Sequence, residues 1–255
     1  FRCDDCDISL TLHRKRGLLQ CHYCGFETPA PDDCPSCGSF RVDSFGAGTE
    51  RIESELNRLL PSVPVIRLDR DTVRKRSDLT RSLDTFRSGD ARVLIGTQMV
   101  TKGHDFPGVT LVGVISGDAS LNFPDFRAGE RTFQLLTQVA GRAGRAEKEG
   151  RVLIQTFETS HYAITCAIEH SFEKFLAQEF AIREELFYPP FAHLALLRFE
   201  SESEKMATES AQETAEKLRE KVRADGIGVL ILGPALAPLA RLKGIFRVQV
   251  LVKAE

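Results

Sequence analysis

The stretch that decides the fold is Gln134–Arg145, which reads Gln-Leu-Leu-Thr-Gln-Val-Ala-Gly-Arg-Ala-Gly-Arg. The pattern begins as a helix, because the apolar residues Phe133, Leu136 and Val139 are three positions apart and can share one buried face. It ends in a segment with two glycines, which permit a tight turn and a close approach of the backbone to a ligand. The sequence therefore predicts a packed helix that leads directly into a binding loop.

Two arginines in this loop, Arg142 and Arg145, are three residues apart and can point to the same side. A guanidinium group is always charged and matches phosphate oxygens in a bidentate way. The arrangement suits a phosphoryl group in transfer, so we predict that both arginines are catalytic. The alternative is an ordinary helix C-terminus, at which arginines compensate the helix dipole.

Length and charge narrow the class of protein. With 255 residues the chain can form one large domain or two to three smaller ones. The formal charge of −2 excludes a globally basic nucleic-acid coat protein but leaves room for a local basic track. No apolar run approaches membrane-spanning length and no secretory signal is visible, so we expect a cytoplasmic protein without membrane contact. Because the chain starts at Phe1 rather than Met, we interpret it as an internal fragment.

Six of the seven cysteines lie in the first 37 residues as Cys-x-x-Cys pairs: Cys3/Cys6, Cys21/Cys24 and Cys34/Cys37. Each pair places two thiolates on one short knuckle, and two knuckles complete a tetrahedral zinc site. The segment has few apolar residues between the knuckles, so we expect metal binding to supply its folding free energy. A redox motif would explain one pair but not three. The seventh cysteine, Cys166, lies in a helical pattern and is predicted to be a small core residue.

Six cysteines do not divide into groups of four. Either two more ligands precede Phe1, or His13 and His22 complete a mixed second site. We favour the first explanation, because His13 stands beside the basic run 14–16 and is expected in a solvated loop.

The middle of the chain alternates short apolar runs with helical patterns. The predicted strands are Val65–Leu68, Val93–Ile95, Leu111–Ile115 and Val152–Gln155, and the predicted helices are Thr49–Leu60, Ser77–Phe86 and Arg131–Val139. We expect Thr49 to open the first helix. Such alternation indicates a doubly wound α/β sheet with buried parallel strands, whose chemistry lies at the carboxyl ends of the strands.

Two loops at those strand ends carry candidate site residues. After the second strand, Gly103 and Asp105 are expected near a nucleotide, and four side chains offer donors for a nucleic-acid backbone: Thr97, Gln98, Thr101 and Lys102. After the third strand, Asp118 either binds a metal ion or caps the next turn. Phe123 and Phe126 follow it and either stack on bases or serve packing.

The sequence of the C-terminal part predicts a small open-faced α+β domain whose elements follow in the order β-α-β-β. Its elements are a long helix over His161–Leu186 that consecutive prolines stop, a strand Leu194–Phe199, a charged helix Ser203–Ala224, and strands Val229–Leu232 and Phe246–Val252. A modest basic cluster of Arg241, Lys243 and Arg247 either contacts DNA or lies in a solvated loop. We thus predict a zinc-binding region over residues 1–45, an α/β lobe over 46–160 and an incomplete α+β domain over 161–255.

Two of these segments match motifs of a known enzyme class. Residues 96–106 resemble motif V of superfamily 2 helicases, and residues 138–145 resemble motif VI. The zinc knuckles ahead of this lobe, residues 67–72 and residues 124–128 narrow the resemblance to the PriA family of primosomal replication-restart helicases. The likeness also includes residues 188–191 and 232–241, so it extends over essentially the whole chain.

The resemblance implies an ATP-dependent 3′ to 5′ DNA helicase that recognises stalled forks and helps to reassemble the primosome. The fold it implies is a RecA-like helicase lobe with a zinc ribbon and a small α+β domain. The implied partners are forked and single-stranded DNA, other primosome proteins and single-stranded-DNA-binding protein, with the helicase itself a monomer. On that pattern Gln138 joins the nucleotide site, and Arg127 joins the DNA contacts.

The resemblance also implies eight cysteines on two zinc ions in the full-length protein, which in addition uses ATP with Mg²⁺. Cys3, Cys6, Cys21 and Cys24 would share one zinc ion. Cys34 and Cys37 would hold half of the other, with a pair that this chain lacks.

The chain departs from a complete motor, because it contains no Gly-x-x-x-x-Gly-Lys-Ser/Thr phosphate loop and no acidic magnesium motif ahead of the arginines. In the family these belong to the first motor lobe. We therefore predict that the isolated chain does not hydrolyse ATP. One rival interpretation is a zinc-ribbon module that binds DNA or protein without a motor. A weaker one is a dinucleotide- or phosphate-binding α/β enzyme, against which the missing glycine-rich fingerprint counts.

Overall fold

A computed structural model of the chain describes residues 1–13, 16–40, 48–69, 72–73, 75–101, 106, 108–141 and 150–254. Five predicted site residues lie outside these ranges: Lys102, Gly103, Asp105, Arg142 and Arg145. The chain divides into two compact units, one made of Phe1–Ser44 with Glu179–Glu255 and the other of Phe45–Gln178. The three-domain division stays a prediction.

Ten strands and seven helices lie within the described residues. In chain order they are β1 Thr11–His13, β2 Leu18–Gln20, β3 Glu27–Pro29, α1 Thr49–Leu59, β4 Val65–Leu68, α2 Arg76–Ser88, β5 Val93–Gly96, α3 Gln98–Thr101, β6 Leu111–Val114, α4 Ala128–Ala140, β7 Arg151–Ile154, α5 Tyr162–Ile168, α6 Phe172–Glu185, β8 His193–Ser201, α7 Glu204–Asp225, β9 Val229–Leu242 and β10 Ile245–Ala254. None of these helices is long and apolar enough to cross a membrane.

The cysteine-rich segment forms an antiparallel meander in the order β1-β2-β3. Leu19 on the central strand β2 is buried. The expectation that His13 lies in a solvated loop is wrong, because His13 ends strand β1, pairs with Leu18 and is only 8% exposed. Strand pairing thus carries the imidazole into the ribbon despite the basic run that follows it.

The middle unit contains the four predicted parallel strands. β4 pairs with β5 from Val65↔Val93 onward, and β6 pairs with β7 from Leu111↔Arg151 onward. Within the described residues they form two separate parallel pairs rather than one continuous sheet. Helices α1, α2 and α4 occur where the sequence predicts them. The α/β class of this lobe is therefore confirmed.

The buried face of α4 holds the second strand pair in place. Phe133 and Leu136 pack with α5 and with Phe175 on α6, and the rings of Phe133 and Phe175 stack with centroids 4.1 Å apart. Cys166 is 2% exposed in the same cluster, which confirms it as a core residue. Helices cover only one face of this pair in the described residues, so Leu111 and Leu153 on the other face are 58% and 62% exposed. The prediction of buried strands is therefore wrong for the exposed face of β6 and β7.

The C-terminal part forms the predicted β-α-β-β arrangement. Its antiparallel sheet has the order β8-β10-β9, and α7 packs three alanines against strand residues such as Val248 and Val250. The hydroxyl of Ser203 caps α7 by accepting a hydrogen bond from the Met206 amide. A surface helix over a small sheet is thus fixed by an alanine stripe that allows close approach.

Two boundaries differ from the prediction. The single helix expected over 161–186 is two helices, because His170 has a left-handed φ of 53° and Ser171 accepts a hydrogen bond from the Lys174 amide. Strand β9 continues ten residues beyond the predicted end at Leu232. Its pairing with β10 contains two register shifts, and one of them, between Leu232 and Ala235, contains Gly233. A Cβ at Gly233, where φ is 96°, would lie 2.8 Å from the Gln249 carbonyl oxygen, so the strand interior requires glycine there.

Candidate functional site

The three cysteine knuckles have the same type of backbone turn. In each, the amide of the first cysteine donates to a carbonyl five residues on, with N···O distances of 2.9 Å at Cys3, 2.8 Å at Cys21 and 2.8 Å at Cys34. In each, the residue after the second cysteine has a positive φ: 49° at Asp7, 83° at Gly25 and 67° at Gly38. This turn presents both thiols of a pair on the same side.

Two of the knuckles meet to form a metal site. The sulfur atoms of Cys3, Cys6, Cys21 and Cys24 lie within 4.8 Å of one another. Tetrahedral zinc with Zn–S bonds of about 2.3 Å requires sulfur separations of about 3.8 Å, so the four thiols fit a zinc ion with small adjustments. In the part of the chain that the structure describes, this is the one group of three or more possible ligands close enough to hold a metal ion.

The mixed second site considered above is not formed. The rings of His13 and His22 lie near each other, with centroids 5.2 Å apart, but the described residues add no third ligand to them. Cys37 is exposed and Cys34 is half-buried, and both lie outside the four-cysteine group.

The thiols of the four-cysteine group differ in how readily they ionise. Burial raises the pKa values of Cys3 and Cys6, since few solvent dipoles can stabilise a thiolate there. Burial also opposes ionisation of Cys21, but hydrogen bonds from the backbone amides of Cys24 and Tyr23 outweigh it and lower the pKa of that thiol to about 7. One thiolate is therefore ready near neutral pH, and a metal ion has to stabilise the others.

A contact that sequence reasoning missed reaches this site from the C-terminal sheet. The end of β9 and the turn that follows it touch the Cys3–Cys6 knuckle through Arg241, Lys243 and Gly244. No local pattern signals a contact between residues 237 positions apart. Arg247, the third member of the predicted basic cluster, forms an ion pair with Glu200 at 2.9 Å.

The tip of β5 presents two of the predicted DNA-contacting residues. Thr97 and Gln98 are exposed directly after Gly96, the last residue of the strand. A Cβ at Gly96 would lie 2.9 Å from the Leu68 carbonyl oxygen on β4, so only glycine permits this close approach. Thr101 ends the short helix α3, and its side chain is outside the described part.

Helix α4 presents Gln138 on its exposed side while its opposite face is buried. The helix ends at Ala140, and its C-cap Gly141 has a φ of −69° rather than the left-handed value that favours glycine. Arg142 and Arg145 follow in the sequence and lie outside the described residues. The predicted roles of all these residues therefore stay predictions.

The loop before α4 is fixed by charge. The Asp125 carboxylate accepts a hydrogen bond from the Arg127 amide and pairs with Arg131 at 2.7 Å. The exposed Arg127 guanidinium lies 4.9 Å from the centre of the Phe126 ring, so part of that aromatic face is occupied from within the chain. Phe123 is 49% exposed.

The Asp118 carboxylate binds a turn distant in sequence, whereas the second role considered for it was to cap the next turn. Its buried carboxylate accepts hydrogen bonds from the amides of Phe157 and Glu158 and from the Thr156 hydroxyl, at 2.6, 3.2 and 3.0 Å. These bonds, led by the one from Phe157, lower the pKa of Asp118. The carboxylate thus fixes the turn that follows β7.

A second buried carboxylate, Asp69, organises the tip of β4. It accepts hydrogen bonds from the Thr49 hydroxyl and the Thr72 amide and forms an ion pair with Arg67 at 3.3 Å. Thr49 is the first residue of α1, as predicted, and its hydroxyl also ties the start of this helix to β4. The N-cap position belongs to Gly48.

Comparison with known proteins identifies the class. The helicase conserved C-terminal domain matches residues 41–147, the PriA DNA helicase Cys-rich region (CRR) domain matches residues 3–29, and the primosomal protein N C-terminal domain matches residues 184–255. The middle of the chain is thus the C-terminal lobe of a helicase, flanked by a zinc ribbon and a primosomal-type domain.

Full-length relatives name the family. The chain is 48% identical over 252 residues to the replication restart protein PriA of Bacillus subtilis (strain 168), which covers 99% of this chain and 31% of that protein. It is 41% identical over 252 residues to the replication restart protein PriA of Treponema pallidum (strain Nichols), covering 99% and 38%. The chain belongs to the PriA family and spans about a third of the length of these relatives.

One solved structure, of the C-terminal domain of the DEAD-box protein Dbp5, is similar at 24% identity and a TM-score of 0.35, covering 50% of this chain and 67% of that one. A similarity of this size adds nothing to the assignment. The family, the fold class and zinc binding by the cysteine-rich ribbon are confirmed by the family matches and the four-cysteine group.

Proposed function

We propose that this chain is the zinc-ribbon, second-motor-lobe and C-terminal part of an ATP-dependent 3′ to 5′ DNA helicase. The whole protein would recognise stalled replication forks and help to reassemble the primosome for replication restart. One observation carries the proposal: in a lobe that matches a helicase domain, β5 stops at an obligatory Gly96 and directly presents polar, exposed residues at the strand tip. Chemistry in parallel α/β sheets occurs at such strand ends.

The same lobe would hold the DNA backbone through Thr97, Gln98, Thr101, Lys102 and Arg127. Hydroxyl, amide and cationic groups donate to phosphate oxygens without reading bases. Binding should therefore depend little on sequence and should weaken steeply as salt concentration rises.

The ATP site would lie between this lobe and a first motor lobe outside the chain, which would supply the phosphate loop and the magnesium ligands. Gly103, Asp105 and Gln138 would contact the nucleotide, and Arg142 and Arg145 would stabilise charge on the γ-phosphate. The buried face of α4 supports this assignment, because Phe133 and Leu136 fix the helix that directly precedes these arginines in the sequence.

In the full-length protein we expect two zinc ions. Cys3, Cys6, Cys21 and Cys24 would hold one, and Cys34 and Cys37 would hold half of the other. The partners would be forked and single-stranded DNA, other primosome proteins and single-stranded-DNA-binding protein. We expect a cytoplasmic monomer.

Arginine variants of the full-length protein test the motor assignment. We expect Arg145→Ala and Arg142→Ala each to lower DNA-stimulated ATP turnover on the order of 10³-fold, with a modest change in nucleotide affinity. Arg151→Ala, at an exposed position where β7 begins, serves as the matched control and should keep full turnover. Unchanged turnover in both test variants would refute the arginine roles.

The second candidate function is a zinc-ribbon module that binds DNA or protein without a motor, which the four-cysteine group alone would support. The two hypotheses differ in what ATP does. A motor unwinds forked DNA only while it hydrolyses ATP, whereas a binding module holds the fork equally well with and without ATP.

A further inference from the structure

The turn that joins β9 to β10 docks on the short segment between two zinc ligands. We call residues 241–244 the hairpin tip. The Arg241 guanidinium donates to the Asp4 carbonyl oxygen at 2.6 Å, and the Gly244 amide donates to the Asp5 carbonyl oxygen at 2.9 Å. Two backbone carbonyls of the Cys3–Cys6 knuckle are thus satisfied from the far end of the chain.

A third bond reaches a ligand atom itself. The Lys243 amide donates to the Cys6 sulfur with an N···S distance of 3.3 Å. Beside it, Leu242 packs against the buried cluster of Cys3, Cys6 and Cys21. The hairpin tip therefore contacts the metal site in three ways. One amide donates to a ligand sulfur, two further groups donate to backbone carbonyls of the knuckle, and Leu242 packs on the buried cysteines.

The geometry of the hairpin tip is fixed before it meets the ribbon. Lys243 and Gly244 have φ values of 51° and 81°, the pattern of a tight two-residue turn between paired strands. The Arg241 guanidinium lies 4.7 Å from the centre of the Phe246 ring, its partner across the strands. The donors consequently lose little additional freedom when they bind the knuckle.

The charge of the zinc-bound site explains how these donors would stabilise it. Four thiolates around one divalent ion leave an excess of negative charge in a buried place. An amide donor to a coordinating sulfur and a nearby guanidinium both stabilise that charge. Groups that orient metal ligands from outside the coordination sphere commonly change metal affinity by about 10–100-fold.

We propose that the hairpin tip is a working part of the zinc site: Arg241 and the amides of Lys243 and Gly244 hold the Cys3–Cys6 knuckle in its ligand geometry. Zinc retention by the ribbon then depends on the C-terminal sheet. The proposal rests on zinc binding by Cys3, Cys6, Cys21 and Cys24 and is independent of motor activity.

Zinc release from the 255-residue chain tests the dependence. With a chromogenic chelator in excess, Arg241→Ala should release zinc about 10-fold faster than the parent chain. Arg247→Ala is the matched control, because this residue is also an arginine of the same hairpin but pairs with Glu200 on β8 instead of the ribbon. Release from Arg247→Ala should stay within about twofold of the parent. Equal release rates for the parent and both variants would overturn the proposal, as would equal acceleration in both variants.

A second measurement needs no variant and so does not depend on how Arg241→Ala folds. With ¹¹³Cd in place of zinc and ¹⁵N-labelled protein, a hydrogen bond to a coordinating sulfur transmits scalar coupling from the metal to the amide proton. The Lys243 amide should show a cross-peak to the ¹¹³Cd signal that also couples to the Cys6 side chain. If the Cys6 coupling is present and the Lys243 cross-peak is missing, the hairpin tip is only packed against the site and the proposal fails.

Discussion

The knuckle at Cys34 repeats the backbone turn of the knuckles at Cys3 and Cys21, yet its surroundings differ completely. In the two early knuckles Cys3, Cys6 and Cys21 are at most 2% exposed, whereas Cys37 is at the surface. The same amide-to-carbonyl bond and the same positive φ occur in all three. The turn is thus a local property of the Cys-x-x-Cys sequence, and burial of the thiols is a property of having a second knuckle opposite.

The largest expected effect distinguishes the cysteines that bind zinc from those that only have the same backbone turn. In the 255-residue chain, Cys21→Ser should reduce the zinc content to near zero. Structural zinc binding contributes a free energy on the order of 10 kcal/mol, and a site with only three ligands binds the ion much more weakly. Cys34→Ser should leave the zinc content unchanged, because Cys34 lies outside the four-cysteine group. Atomic emission on purified chains measures both, with circular dichroism as the folding control. Equal zinc loss in the two variants would show that Cys34 contributes to zinc binding as much as Cys21 does.

Thiol chemistry should reveal the same division without mutation. In the zinc-loaded chain we expect iodoacetamide to modify Cys34 and Cys37 at least about tenfold faster than the other cysteines, because Cys37 is exposed and both lie outside the four-cysteine group. Backbone hydrogen bonds from Ser36 and Cys37 lower the pKa of Cys34, so more of this thiol is ionised at neutral pH than of an ordinary cysteine. Peptide mass spectrometry against time gives the rates. Slow modification of Cys34 and Cys37 would mean that the chain protects this pair as well.

Glycine substitutions sharpen the comparison at the level of the turn. Alanine at Gly25 or Gly38 should cost about 1 kcal/mol locally, since both have positive φ. Only Gly25→Ala should pass this cost to the metal, as a roughly fivefold loss of zinc affinity. Gly113→Ala, where an added Cβ meets nothing within 4 Å, is the control. Chelator competition measures affinity, and an equal loss from Gly38→Ala would contradict the prediction.

The smallest effect extends the comparison to the α/β lobe, where amide donors rather than a metal stabilise a buried anion. The folded state holds the pKa of Asp118 below its ordinary value, mainly through the Phe157 amide, so this carboxylate stabilises the fold at neutral pH. That contribution is complete above the unfolded pKa of about 4 and is lost as pH falls through the lower folded value. Asp118→Asn should lower Tm by a few °C at pH 7, and the difference from the parent should shrink below pH 4.

The exposed carboxylate variant Asp84→Asn is the control for that experiment, because Asp84 forms only a surface pair with Arg87. Melting curves from pH 7 to pH 3 compare the three chains. A Tm difference for Asp118→Asn that stays constant over this range would show that Asp118 stabilises the fold through its shape and not through its charge.

Local chemistry explains which parts of the fold could be predicted from the sequence. β4 was predicted to the residue, because a short apolar run between polar loops has one suitable conformation in an α/β chain. The cysteine pairs indicated zinc because their ligand spacing is itself local. The buried face of α4 followed from the three-residue spacing of Phe133, Leu136 and Val139, all of which are at most 7% exposed.

Elements that depend on distant partners could not be predicted. Prolines and glycine between Leu232 and Arg241 indicate a loop, and only pairing with β10 makes this segment a strand. The break at His170 depends on a left-handed residue that no side-chain pattern marks. Likewise, Asp118 could bind a metal or cap a turn until the amide of Phe157, 39 positions away, is brought to it.

The contact between the hairpin tip and the Cys3–Cys6 knuckle also sets an order of events during synthesis. Asp4 leaves the ribosome 237 residues before Arg241, its partner. At about 5–20 residues per second this delay is on the order of tens of seconds. A nascent ribbon that has already captured its ion must wait that long for its last neighbours, so the cell's free zinc level during translation bears on how many chains finish with this site filled.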